Sequence, residues 1–182
     1  MRAESLFFSA ITPEHTLAAQ HLLERAVRLD PNSAEVWAWL ADLAVTDYLS
    51  HWNHAGAAQL GQAEDAVRRA LDLDPDLALA HLANGFIRRA QGEHQAALAA
   101  FSRAIELNPN YARAYAQKGN ELVHSGQPEG APPLVEQAIK LSPRDPALGE
   151  FCWIIGRAYF YMNQYNQAIP WLRKAIEVRS DV

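Results

Sequence analysis

The sequence contains almost no cysteine, with Cys152 the single one among 182 residues. A lone cysteine excludes an internal disulfide and favours a reducing compartment. Long hydrophobic runs are also missing, because no stretch approaches the ~20 apolar residues that a membrane helix requires. Residues 1–10 carry an acid before a short apolar run, which is unlike a secretory signal peptide. We therefore expect a cytoplasmic protein with no membrane partner.

Basic charge is scarce as well. The chain carries 16 lysines and arginines against 21 acidic residues, a formal net charge of −5. No cluster of lysine or arginine offsets this balance, so the sequence lacks the electrostatic footprint of a nucleic-acid-binding protein. We expect no nucleic acid among its partners.

Catalytic motifs are absent too. Gly56–Gly61 is not followed by lysine and a hydroxyl residue, so it is not a phosphate-binding loop, and no Gly-x-Ser-x-Gly elbow occurs. His51 and His54 supply two imidazoles, whereas a zinc site uses three or four protein ligands. Cys152 suits a packed core position better than a nucleophile. These features predict a protein that is not an enzyme, with no catalytic residue, no cofactor and no metal site.

The sequence does contain an internal repeat. An alanine is followed five residues later by a proline, with an aliphatic residue between them, and successive copies in the middle of the chain lie 34 residues apart. The copies are Ala70–Pro75, Ala104–Pro109 and Ala138–Pro143, with outlying relatives at Ala26–Pro31 and, without the proline, at Ala175–Ser180. A period near 34 indicates a solenoid of helical hairpins, in which each hairpin packs only on its neighbours.

Other residues recur in the order small residue, alanine, bulky residue, alanine and proline. They are Ala41, Ala63, Val67, Ala70 and Pro75; Gly85, Ala97, Phe101, Ala104 and Pro109; Gly119, Ala131, Val135, Ala138 and Pro143; and Gly156, Ala168, Leu172 and Ala175. This pattern resembles the tetratricopeptide repeat. The resemblance implies an all-α fold, a right-handed α-solenoid of antiparallel helix hairpins, with about four full repeats and an N-terminal partial one. It covers residues 1–182 as a single domain, in units of roughly 1–33, 34–77, 78–111, 112–145 and 146–182.

Capping and turn residues predict ten helices, counting a first one within residues 1–11. Ser33 is placed to cap a helix. Gly92 and Gly126 are placed to turn the two central hairpins.

Three places depart from the regular repeat. Ser50–Gly61 contains ten extra residues, since the spacing there is 44 and not 34, and this predicts a longer turn within one hairpin. Prolines between positions 128 and 133 delay the next helix to about Ala131, because a proline beyond the first turn removes a helical hydrogen bond. Pro170 is expected either to kink the last helix or to delay its start.

In tetratricopeptide repeats, the first helix of each hairpin lines a concave groove that takes peptides or helices. By position in the repeat, the resemblance implies a partner-binding groove formed by Trp39, Asp42, Phe86, Arg89, Arg113, Gln117, Asn120, His124, Trp153, Arg157 and Tyr161. Aromatic residues and arginine are enriched in recognition surfaces. The inner-wall positions of the last unit also include Phe160. The alternative interpretation is that Trp39, Phe86 and Phe160 belong to the core between repeats.

These features predict an interaction scaffold that binds a peptide or a helical segment of a protein. The arginines of the groove favour a ligand with an acidic residue beside a bulky apolar one. A carboxylate clamp of the chaperone-binding kind is not supported, because Ala38, Leu82 and Ala116 stand where lysine is needed.

A narrower resemblance supports a second function. Four segments resemble the C-terminal repeat region of bacterial signalling proteins, namely class III adenylate or guanylate cyclases and winged-helix regulators. The segments are Thr12–Glu14, Leu22–Val27, Leu141–Leu148 and Ile155–Tyr159. This resemblance implies a regulatory or oligomerisation segment of such a protein.

The last predicted helix carries an apolar stripe. Ile169, Leu172 and Ile176 have no following helix to cover them. We expect the chain either to self-associate through this helix or to continue beyond it in the native protein.

Overall fold

The computed structural model describes residues 13–50 and 56–180. Within these ranges the chain forms nine α-helices, one 3₁₀-helix and no β-strand. The α-helices are α1 (Pro13–Leu29), α2 (Ala34–Ser50), α3 (Ala57–Leu73), α4 (Ala78–Ala90), α5 (His94–Leu107), α6 (Ala112–His124), α7 (Ala131–Leu141), α8 (Leu148–Tyr161) and α9 (Tyr165–Ser180). The prediction of an all-α fold built from helix hairpins is confirmed. The helix expected within residues 1–11 lies outside the described residues.

The helices cluster into two compact units, residues 1–107 and 108–182. In the first unit, α2 packs on α1, α3 and α4, and α5 packs against α4. In the second unit, α8 packs on α6, α7 and α9. In each unit, therefore, the first helix of one hairpin contacts the first helix of the next, as stacking of helical repeats requires. None of the described helices is both long and apolar enough to cross a bilayer.

Short polar residues end the helices before the prolines. The Oδ1 atoms of Asp30, Asp74 and Asn108 accept a hydrogen bond from the backbone N–H two residues further on, at 3.1, 3.0 and 3.1 Å. This bond closes a local turn around the intervening proline, which has no N–H with which to continue the helix. Ser33 Oγ accepts the N–H of Val36 at 3.4 Å and caps α2, as predicted. The repeated alanine-to-proline phrase is therefore a helix terminus followed by its own turn.

Helical glycines let the two helices of a hairpin approach closely. A Cβ atom added to Gly119 would lie 2.6 Å from Val135 Cγ2, and one added to Gly156 would lie 2.7 Å from Leu172 Cδ2. Both separations are far shorter than a carbon–carbon contact of about 3.5–4.0 Å. The small residue of the repeat on the first helix thus leaves room for the bulky residue of the repeat on the second helix.

Two predicted turns and one predicted helix start are confirmed. Gly92 and Gly126 adopt φ angles of 75° and 77°, in the left-handed region that glycine enters without steric cost. The α7 helix begins at Ala131, directly after the 3₁₀-helix Pro128–Gly130.

The ten extra residues of the first full hairpin mostly extend its helices. Both α2 and α3 have 17 residues, whereas α4 and α5 have 13 and 14. The sequence predicted instead a longer turn over Ser50–Gly61, but α3 already begins at Ala57. Because alanine, glutamine and leucine follow this position and favour helix, these residues join α3 and not the loop. Residues 51–55 lie outside the described part of the chain.

The last helix differs from expectation at Leu172. Leu172 packs against α8 and so does not lie uncovered, whereas Ile169 and Ile176 are 49% and 70% exposed. Pro170 lies inside α9, which begins at Tyr165, so the start of this helix is not delayed and the kink stays a prediction.

Candidate functional site

In the second unit, α6 and α8 pack side by side and present predicted groove residues on a common face. Helical spacings of three and four residues place Arg113, Gln117, Asn120 and His124 along one side of α6, and Glu150, Trp153, Arg157 and Tyr161 along one side of α8. We call this surface the α6–α8 face.

Polar side chains on this face form a continuous hydrogen-bonded chain between the two helices. Arg157 Nη2 donates to Asn120 Oδ1, Asn120 Nδ2 donates to Gln117 Oε1 at 3.4 Å, and Gln117 Nε2 donates to Glu150 Oε1 at 2.8 Å. Gln117 and Asn120 are nearly buried, at 3% and 8% exposure. Each amide has its orientation fixed by its neighbours, because reversing it would oppose like groups.

The guanidinium of Arg157 is also held by an aromatic ring. Its Cζ atom lies 4.3 Å from the centroid of the Trp153 ring, within the range of a cation–π contact. Trp153 is 44% exposed, so much of the indole remains accessible. The positive charge and the aromatic surface are therefore fixed before any partner arrives.

More exposed aromatic residues continue the α6–α8 face at the end of α8. Phe160, Tyr161 and Tyr165 are 52%, 60% and 51% exposed. Phe160 makes edge-to-face contacts with Tyr161 at 5.9 Å and with Tyr165 at 5.7 Å between ring centroids. Tyr165 was not among the predicted groove residues. Phe160 lies seven residues after Trp153 on the same helix side, and its exposure contradicts the alternative interpretation of this ring as a core residue.

The predicted groove residues of the first unit are mostly interior. Phe86 is 6% exposed and packs edge-to-face on Phe101, and Asp42 is fully buried. Trp39 packs against a buried cluster between α1 and α2. The alternative interpretation of Trp39 and Phe86 as core residues therefore describes their positions. Arg89 is half-buried, with its guanidinium 5.3 Å from the Phe86 ring centroid.

The first unit also contains a pocket that sequence reasoning missed. It has a volume of about 560 Å³ and is lined by residues of α1, α2 and α3. Apolar lining comes from Trp37, Leu40 and Leu43, and polar lining includes Asp47 and Gln59. The one signal in the sequence is the number of amide and acidic side chains in the lengthened α3, which does not by itself indicate a pocket.

Trp37 and His81 each lie four residues before the small residue of their repeat, and each binds the preceding turn. Trp37 Nε1 donates to the carbonyl oxygen of Pro31 at 3.0 Å, and His81 Nε2 lies 2.8 Å from the carbonyl oxygen of Pro75. His81 Nε2 thus makes the same contact with a proline carbonyl as the tryptophan Nε1. No group of three His, Cys, Asp or Glu side chains suited to a metal ion occurs among the described residues, and His51 and His54 lie outside them.

Cys152 is fully buried on α8. Burial raises the pKa of its thiol, and the positive charge of Lys174 offsets only part of that rise. A buried thiol with a raised pKa is a poor nucleophile at neutral pH, in keeping with the core position predicted from sequence.

Comparison with known proteins identifies the repeats. A sequence family described as TPR repeat matches residues 85–126, and one described as Tetratricopeptide repeat matches residues 149–182. A curated relative, Putative adenylate cyclase 3 of Rhizobium meliloti (strain 1021), is 32% identical over 98 residues. That similarity covers 51% of this chain and 16% of the relative, so the chain spans only a small part of the relative's length.

Several solved structures have a similar fold. The crystal structure of MamA has a TM-score of 0.63 at 24% identity, covering 92% of this chain and 91% of that one. The thermophilic TPR protein TTC0263 of Thermus thermophilus has a TM-score of 0.72 at 20% identity, covering 90% and 83%. YrrB, described as a TPR protein with an unusual peptide-binding site, has a TM-score of 0.61 at 21% identity, covering 92% and 80%. The chain therefore contains tetratricopeptide repeats and has the helical-repeat fold of these structures.

Proposed function

We propose that the second unit binds a peptide or helical segment of a protein partner on the α6–α8 face. The observation that carries this proposal is the pre-ordered Arg157, fixed between Trp153 and Asn120. A side chain that is already ordered loses little conformational freedom on binding, so more of the contact energy is available for affinity. Tetratricopeptide repeats form extended binding surfaces of this general kind.

The chemistry of the face favours an acidic residue beside a bulky apolar one in the ligand. The guanidinium of Arg157 matches a carboxylate in charge and in planar geometry. The exposed rings of Trp153, Phe160 and Tyr161 supply apolar contact next to it. Glu150 repels a ligand carboxylate at the other end of the hydrogen-bonded chain, so the acidic residue is expected to lie toward Arg157.

Selection from a random peptide library on the immobilised chain tests the proposal. Selected peptides are expected to share a carboxylate next to an aromatic or branched aliphatic residue. Replacing Arg157 by alanine is expected to weaken the binding of a selected peptide by about 1.5–3 kcal/mol, because a charge-assisted contact is lost. Calorimetric titration measures this loss of binding free energy. Arg173 is an exposed arginine on α9 that is not one of the residues defining the α6–α8 face, so Arg173→Ala is the matched control and is expected to leave the affinity unchanged.

Trp153→Ala separates the aromatic surface from the charge. We expect it to weaken the same peptide and to make the remaining affinity more sensitive to salt, because charge then contributes a larger share. Peptide affinities that are equal for the wild type and for both Arg157→Ala and Trp153→Ala would exclude the α6–α8 face as the binding site.

The relative named as an adenylate cyclase favours a second candidate function. The second candidate is that the chain is a regulatory or oligomerisation segment of a larger signalling protein. The 98-residue similarity to a protein much longer than this chain motivates this candidate. Reading the full gene tests it: a cyclase or winged-helix domain in the same frame would support it, and a frame encoding only these repeats would oppose it.

A further inference from the structure

We propose that the pocket of the first unit binds a small organic cation, with an ammonium group next to Asp47 and an apolar body among the remaining lining residues. This site is formed by α1, α2 and α3 and is independent of the α6–α8 face. Its volume of about 560 Å³ falls within the range of about 300–1,000 Å³ typical of small-molecule sites.

The charge of the lining favours a cation. Glu24, Asp47 and Asp65 line the pocket, and Arg69 is the one positively charged side chain among the lining residues that the structure describes. Asp65 is ion-paired with Arg68, so the negative charge of the lining comes mainly from Glu24 and Asp47. An anionic ligand would have to enter against this excess, whereas a cation is attracted to it.

The buried end of this polar lining calls for a hydrogen-bond donor. Asp47 is 3% exposed, and its Oδ2 accepts a hydrogen bond from Gln59 Nε2. That bond fixes the amide, because reversing it would direct Gln59 Oε1 at the carboxylate. Gln59 Oε1 is buried and accepts no hydrogen bond from any residue in the described ranges.

A buried acceptor without a donor is costly, and such groups in native proteins require an explanation. An ammonium group carries three donors and a positive charge, so it can bind the Gln59 oxygen and the neighbouring carboxylate together. A neutral hydroxyl offers one donor and no charge. A carboxylate offers no donor, and its negative charge is repelled by Asp47.

The apolar lining accommodates the rest of the ligand. Trp37, Leu40 and Leu43 contribute carbon surface, and apolar lining with a few placed polar groups is typical of ligand pockets. The hydrogen bond from Trp37 Nε1 to the Pro31 carbonyl holds the indole in position. The same indole N–H provides a local signal for measuring binding.

Three probes of nearly equal size test the charge preference. We would titrate 3-phenylpropylamine, 3-phenylpropan-1-ol and 3-phenylpropionate into the full chain at pH 7. Binding is followed by the indole N–H resonance of Trp37, which the Trp37→Phe variant assigns among the five tryptophans. The amine is expected to bind at least about ten-fold more tightly than the alcohol, and the carboxylate more weakly than both.

Variants then test the assigned residues. Asp47→Asn is expected to lower the affinity for the amine by about ten-fold and to leave the affinity for the alcohol unchanged, since only the charged contact is removed. Asp72→Asn, an exposed carboxylate of α3 outside the pocket lining, is the matched control and is expected to change neither affinity. Gln62→Lys at an exposed lining position places a competing cation at the pocket, and it serves also if Asp47→Asn does not fold.

Three results would overturn the proposal. The first is equal affinity of the wild-type chain for the amine and the alcohol. The second is an unchanged amine affinity in both Asp47→Asn and Gln62→Lys. The third is the absence of any shift of the Trp37 signal with the amine at millimolar concentration.

Discussion

Replacing Phe101 by valine is expected to lower the free energy of unfolding by about 3 kcal/mol, as for other large-to-small changes in cores. Phe101 is fully buried and packs edge-to-face on Phe86, with 5.6 Å between ring centroids. The Arg89 guanidinium lies 5.1 Å from the Phe101 ring centroid and is a further contact that valine cannot replace. Denaturant unfolding followed by far-ultraviolet circular dichroism measures the loss.

A second substitution in the same hairpin is expected to be coupled to the first. A Cβ atom on Gly85 would lie 2.8 Å from Phe101 Cζ, so Gly85→Ala is expected to destabilise although alanine favours helix by about 1 kcal/mol. In the lengthened hairpin, Ala41 stands in place of Gly85 and Val67 in place of Phe101, so a larger residue on one helix is paired with a smaller one on the other. The double variant Gly85→Ala with Phe101→Val is therefore expected to be more stable than the two single effects predict, by about 1 kcal/mol or more. Strict additivity of the two effects would contradict the close packing of this pair.

In the second unit, the same substitution at two positions of α8 is expected to have very different effects. Phe151→Ala is expected to cost about 3–5 kcal/mol, because Phe151 is fully buried in a cluster that includes Val135, Ile154 and Ile155. Phe160→Ala is the matched control and is expected to cost less than about 1 kcal/mol, because Phe160 is 52% exposed. Unfolding in denaturant measures both, and equal losses would contradict the positions of the two rings.

The two phenylalanines also separate folding from binding. If the α6–α8 face binds a peptide as proposed, Phe160→Ala is expected to weaken binding in a chain that is almost fully stable. Phe151→Ala is expected to affect binding only through loss of folded protein. Comparing the two variants therefore shows whether the exposed aromatic surface is used for recognition.

The side of each helix that forms the α6–α8 face could be predicted from the sequence, because helical spacing is a local property. Residues three and four apart on a known helix share a side, so the common side of Gln117 with Asn120, and of Trp153 with Arg157, could be read from the sequence. Their roles in binding remain a prediction. The hydrogen bonds that join the helices could not be read, because they depend on the packing of two segments distant in sequence.

The first unit shows the limit of reasoning by position. The residue that follows the small residue of each repeat is Asp42, Phe86, Asn120 or Arg157. All four were assigned to a groove. Asp42 is fully buried and Phe86 packs on Phe101, whereas Arg157 lies on the α6–α8 face, where Trp153 holds it. The same repeat position thus serves the core in one hairpin and an accessible face in another.

By itself, the sequence determined the helical repeat and most of the turns between helices. These features depend on neighbours in the chain: an Asp or Asn side chain closes the turn around the next proline, and a glycine enters a positive φ. Only the tertiary structure decided which aromatic rings are exposed, which polar side chains join α6 to α8, and that a pocket lies between α1, α2 and α3. Those properties arise where helices distant in sequence meet, and small differences in side-chain size at the contact decide whether the space is filled or left open.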